Sequence, residues 1–281
     1  MGGFDPLSIE TRLAQVVTAL EHARLPCLVM GGHAVRYYGV GRNTIDFYVS
    51  APSMQAVRAT VATLQETAML TVREGPSWRP EDFARFEIGR LSDGREEWLE
   101  FWLHNHLLPG FAEFWLRHER GIYGDREIAF LSLSDLIRSK ETEREGDWAD
   151  VSLLEEIQDA RQLAQAAVKT EPALALRGLR SRRGFERALG LGLMNDQKAL
   201  EQSVRQCEHP VSFAFLLPFI REAEQPASLR LPVDEAYLSP LRTVEPGGPK
   251  HAALVEVVRR AYKRWAMEVD RRDKESRSHR G

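Results

Sequence analysis

The sequence predicts an α+β fold, a mixed sheet flanked by helices, followed by a helical C-terminal domain. Three observations carry this. Short runs rich in apolar and aromatic residues recur between Pro26 and Leu131. Segments of helical period lie between them. After about residue 168 the strand signals become scarce, and helix signals alternate with Pro226, Pro232, Pro240, Pro246 and Pro249. The expected domains are 1–167 (α/β) and 168–272 (helical), with a polar, disordered tail over 273–281.

The elements follow in order. Asp5-Pro6 reads as an N-cap with proline at the first helical position, and Leu7, Leu13, Val16, Val17 and Leu20 mark an amphipathic helix to about Ala23. Pro26–Met30 reads as a strand, Gly32–Tyr38 as a short helix ended near Gly39, and Ile45–Ser50 as the next strand. Met54–Thr67 is helical in period and Met69–Arg73 is a strand. Phe83–Ile88 and Glu97–Leu103 form two strands joined through Ser92-Asp93-Gly94. Pro109–His118 reads as helix and Glu127–Leu131 as strand. Ser132 or Ser134 caps a helix through Lys140, and Val151–Ala167 is a long helix. The second domain reads as helices over Phe185–Leu193, Gln197–Cys207, Val211–Ala223 and His251–Asp270.

Composition narrows the function classes. A net charge of -3 over 281 residues gives no global pull toward nucleic acid or membrane. MGGFDPLSIE lacks the basic and apolar regions of a signal peptide, and Asp5-Pro6 fits poorly with myristoylation at Gly2. No apolar run reaches the length of a membrane span. Cys27 and Cys207 are expected to be reduced thiols in a cytoplasmic protein, with one long-range disulfide as the alternative.

Leu28–Ser50, LVMGGHAVRYYGVGRNTIDFYVS, is the most informative stretch. It reads as strand, Gly-Gly turn, short helix, Arg-x-Thr turn and a second strand opening with Asp46. Glycine lets a backbone approach a ligand closely, and amides at a helix start attract phosphate; a tight turn needs the same residues. Glu100, inside Trp98-Leu99-Glu100-Phe101-Trp102, is a lone acid in an apolar strand. Such an acid is paired, holds a cation or faces solvent. In the run from Asp135 to Asp150, Arg138, Lys140 and Arg144 either face phosphates or, with Arg144/Asp147 and Asp147/Asp150 at helical spacing, belong to a solvated ion-pair face. His33 either contacts a phosphate or occupies the first turn of its helix. Two basic stretches, Arg177–Arg187 and Arg259–Arg272, either track a nucleic-acid backbone or are solvated faces.

Taken together, Gly31-Gly32-x-Ala34, Gly39 and Arg42-x-Thr44-x-Asp46 resemble the signature of the nucleotidyltransferase superfamily. The nearest branch is the AbiEii-like and minimal nucleotidyltransferases, which include toxins of toxin–antitoxin pairs. Leu136-x-x-x-Lys140, Arg144 and Asp147-x-x-Asp150 resemble that branch's downstream motif. The resemblance covers about residues 25–155 and implies a nucleotidyltransferase-like sheet and transfer of an NMP from an NTP to an acceptor. It implies Gly31, Gly32, Arg42, Thr44, Lys140 and Asp147 as nucleotide-binding residues and Asp46, Glu100 and Lys140 as catalytic ones. Mg2+ or Mn2+ would sit on Asp46 and Glu100. The acceptor would be tRNA, a protein side chain or a small molecule, and an antitoxin partner is implied. The departure is Tyr48, where the Asp-x-Asp pattern wants a second carboxylate. A neutral phenol is a poor ligand for a hard cation. That leaves three readings: an enzyme, a catalytically degenerate nucleotide- or partner-binding module, and an RNA-binding protein on an inactive scaffold.

Overall fold

The computed structural model describes residues 9–66, 72–77, 79–90, 94–105, 107–142, 144–165, 171–220 and 238–278. The chain separates into two compact units, Met1–Lys140 and Glu141–Gly281. The sequence pattern sets the division near 167. It falls earlier because the long helix after Lys140 packs on the helices that follow it. Leu7, Met69 and the Ser92-Asp93 turn lie outside the described residues.

The first unit opens with α1 (Ile9–His22), whose Leu13, Val16, Val17 and Leu20 are buried at helical spacing. It closes through Arg24, which takes a left-handed φ of 63° while Leu25 N–H donates to the Leu20 carbonyl. Then come β1 (Leu28–Met30), α2 (Gly31–Tyr37), β2 (Phe47–Ser50), α3 (Met54–Glu66), β3 (Arg73–Glu74), β4 (Phe83–Arg90), β5 (Glu96–Trp102), α4 (Phe111–Trp115), β6 (Glu119–Tyr123), β7 (Arg126–Phe130) and α5 (Leu133–Ser139).

The seven strands form one mixed sheet in the order β3-β4-β5-β2-β1-β7-β6. The pairs β1·β7 and β2·β5 are parallel and the others antiparallel. One face is apolar: the rungs Val29–Val49–Phe101–Ala84 and Phe47–Leu99–Phe86 are buried throughout. Side chains alternate between faces, so Met30, Tyr48, Glu100 and Arg85 share the opposite one. An acid does enter the interior, but it is Glu97, paired with Arg12.

Strand β6 has no counterpart in the sequence pattern. It is an edge strand whose exposed Arg120 and Ile122 alternate with less exposed residues, and this leaves no apolar period. Ser132 is the N-cap of α5, its Oγ accepting from Asp135 N–H at 3.2 Å. The Asp135 carboxylate in turn takes two hydrogen bonds from Arg117. Ser132→Ala is therefore expected to cost about 1 kcal/mol in a denaturant titration.

Among the described residues the second unit is helical: α6 (Glu145–Leu163), α7 (Pro172–Arg177), α8 (Arg182–Gly190), α9 (Gln197–Arg205), α10 (Pro210–Leu216), short 3-10 segments and a last helix, Pro249–Ser278. Its core gathers Leu176, Leu200, Phe215 and Val258 around Phe185, which stacks on Phe215 at 5.2 Å. Helix α6 starts ahead of Val151 because Asp147 and Asp150 lie on its buried side, where apolar periodicity does not register. Helix also replaces the expected tail as far as Ser278. The i,i+3 and i,i+4 pairs of Arg271 with Glu268 and Glu275, and of Arg272 with Glu268, support a polar helix there.

Candidate functional site

The site is built on β1, β2, β4 and β5 and on the turn into α2. β1 ends at Met30 and the chain enters α2 through Gly31, at φ 66°. A Cβ at Gly31 would stand 2.8 Å from Tyr48 Cδ2, and one at Gly32 would stand 2.6 Å from Thr44 Oγ1. The turn therefore lies directly against Tyr48 and Thr44, and only glycine fits there. Gly31→Ala is expected to cost about 1–2 kcal/mol for the left-handed backbone alone. Displacement of the Tyr48 ring adds to that, and a thermal melt reads the sum.

Across the sheet, Met30, Tyr48, Glu100 and Arg85 are consecutive rung partners. Asp46 stands one residue ahead of β2, two before Tyr48, and is partly buried. Partial burial pushes the Asp46 carboxyl above its usual range, and the Arg85 charge opposes this. Glu100 is also raised, first by burial and then by Asp46; the Trp102 indole and Arg85 pull it back. Asp46, Glu100 and Arg85 thus form one electrostatic unit. Two carboxylates disfavoured as anions, with an arginine on the strand beside Glu100, suit a site that awaits a cation.

The remaining candidates are placed differently. Arg42 lies in the loop that carries Thr44. Lys140 ends α5, which packs on α2. Asp147 belongs to the second unit, where it accepts from Thr142 Oγ1 at 2.8 Å. His33 faces the interior: its Nδ1 lies 2.8 Å from Tyr123 Oη, and burial pushes its pKa down to about 4. It is a core histidine. In the basic stretches Arg182, Arg183, Arg259, Arg260 and Lys263 pair with Glu186, Glu156, Glu155, Glu256 and Glu145, as solvated or structural faces do.

Arg85 and Trp102 were not legible from the sequence. Arg85 sits in the alternating run Phe83-Ala84-Arg85-Phe86, and only the pairing of β4 with β5 sets it opposite Glu100. A register shift between Glu87 and Gly89 hides that pairing from any count back from the turn. Cys27 and Cys207 are both free and buried. Among the described residues no helix is long and apolar enough to cross a membrane. Nor does any group of three or more His, Cys, Asp or Glu side chains among them stand ready to hold a metal ion.

No family model and no curated protein matches the chain. Solved structures similar to it include the lincomycin-bound lincosamide antibiotic adenylyltransferase LnuA (17% identity, TM-score 0.39, over 53% of this chain and 97% of that one). A second is an antigenic nucleotidyltransferase-like protein from Paracoccidioides brasiliensis (13%, 0.38, over 59% and 90%). A third is JHP933 from Helicobacter pylori (11%, 0.39, over 99% of each chain).

Proposed function

We propose that this chain transfers a nucleoside monophosphate from an NTP to an acceptor hydroxyl. One observation carries the reading: Gly31-Gly32 lies on Tyr48 and Thr44, and Tyr48 shares its row with Glu100 and Arg85, which act on one another and on Asp46 two residues ahead of Tyr48. The acceptor oxygen attacks the α-phosphorus. The bond from that phosphorus to the oxygen bridging to the β-phosphate breaks, pyrophosphate departs with the electron pair, and the acceptor proton passes to solvent. Catalysis of this kind rests on positioning and on neutralising charge. The glycine turn lets the phosphates approach the backbone, Thr44 offers a hydroxyl beside it, and Asp46 and Glu100 orient the reacting end.

Two carboxylates together with substrate phosphates suit one hard divalent cation, Mg2+ or Mn2+. Bound there, the cation would neutralise charge on the phosphates. The cytoplasm, with its NTP and reducing conditions, fits the buried free thiols. The AbiEii-like branch, and with it an antitoxin partner, is inferred from the Gly31–Asp46 spacing and the Leu136–Asp150 run.

Tyr48 favours a second reading, a nucleotide-binding module without turnover, because its ring fills the place beside Gly31 where another carboxylate would be wanted. Calorimetry of NTP with Mn2+ decides the common part. Wild type is expected to bind and Asp46→Ala to lose binding by about tenfold or more. Unchanged binding in Asp46→Ala removes both readings. Binding without pyrophosphate release leaves the second.

A further inference from the structure

The row across the sheet contains a cation of its own. Arg85 is the direct rung partner of Glu100, and Tyr48 is the partner on the other side. Its charge acts on both Asp46 and Glu100. The guanidinium lies over the Trp98 ring at 4.0 Å, with its Nε buried and without a hydrogen-bond partner. Stacking on an indole holds a guanidinium in place and leaves its edge available to pairs of carboxylate or phosphate oxygens.

A site with two divalent cations clamps both the attacking and the leaving oxygens, and it needs bridging carboxylates to hold the pair. Tyr48 offers a phenol instead. Asp46 and Glu100 together neutralise one dication, so a second dication would have no counter-charge in this row. The phosphates of an NTP still need a second positive group, and Arg85 is an always-charged one already fixed there.

We propose that Arg85 contacts the NTP phosphates directly and supplies the charge a second cation would bring, so that the site takes one divalent cation per nucleotide. This rests on the nucleotide reading above and goes beyond it in naming the phosphate-binding residue and the cation stoichiometry. The side chain is a specificity element as well, because a fixed guanidinium favours a polyphosphate over a nucleoside.

The test uses the full chain and two readouts other than turnover. Mn2+ bound per chain is counted by electron paramagnetic resonance with saturating ATP, and ATP affinity is measured by calorimetry with and without Mn2+. Wild type is expected to bind one protein-dependent Mn2+. Arg85→Gln is expected to weaken ATP by about ten- to a hundredfold, and Arg85→Lys by less, since a point charge replaces the fork. Adenosine affinity is expected to stay constant across the variants, which also reports on folding. Tyr48→Asp is expected to admit a second Mn2+, and in that background Arg85→Gln is expected to cost less than in wild type. Two Mn2+ in wild type, or ATP affinity unchanged in Arg85→Gln, overturns the role of Arg85 while the nucleotide reading stands. No ATP binding by wild type overturns both.

Discussion

Asp46→Asn is expected to lower NTP-dependent label transfer by about 100-fold or more, the scale on which loss of one electrostatic group at a reacting centre is felt. Stability is expected to move the other way or not at all. Burial already disfavours the charged form of Asp46, and the Glu100 carboxyl feels its charge as a repulsion. An amide of the same shape carries neither cost. A group that lowers stability and raises activity is the signature of a functional acid, whereas a structural one loses both together. Paired measurements of initial rate and denaturant midpoint on Asp46→Asn and Glu100→Gln check this. A drop in midpoint matching the loss of rate would place both acids among structural groups.

The second unit supplies the contrasting case. Asp159 is buried and accepts from Ser181 N–H at 2.8 Å, Ser181 Oγ at 2.6 Å and Arg180 N–H at 3.1 Å. Ser181 then caps α8 by accepting from Gly184 N–H. Gly184 has to be glycine, because a Cβ there would overlap the Asp159 carboxylate. Asp159→Ala leaves these donors buried and unmet and is expected to cost about 3 kcal/mol. Its pH dependence has a definite sign. Burial outweighs the hydrogen bonds and pushes the Asp159 pKa from 3.8 up to about 6. From pH 3.8 to about 6 the native chain keeps a proton that the unfolded chain has released, so this group's contribution falls as pH rises through that window and is flat above it. Urea midpoints at either end of the window, in wild type and Asp159→Asn, isolate the effect. Equal slopes in the two proteins would assign the pH dependence elsewhere.

What could be read from the sequence was what is local. Strand, Gly-Gly turn, helix and strand follow one another within Leu28–Ser50, and each is fixed by its own residues. Gly31 meets Tyr48 and Gly32 meets Thr44 in the structure. Glu100 was legible because a charge inside an aromatic strand has few places to go. The Ser132 cap was legible because capping chemistry is short-ranged. What stayed hidden depends on pairing between distant strands. Arg85 acquires its meaning only from the rung it shares with Glu100, and β6 only from the strand it borders. The start of α6 was hidden because buried acids stand where an apolar period would be sought. Lys140 closes α5 in the first unit, and Asp147 lies in the first turn of α6 in the second.

On the function proposed above, Asp46 and Glu100 beside Gly31-Gly32 move the α-phosphoryl group of an NTP. The direct measurement is label transfer from NTP carrying the label at the α- or at the γ-phosphate, with Mn2+ and a mixture of cellular RNA and protein as acceptor. Transfer of the α-label with release of pyrophosphate, lost in Asp46→Asn, is the predicted result. Transfer of the γ-label, or α-transfer that persists at the wild-type rate in Asp46→Asn, would contradict it.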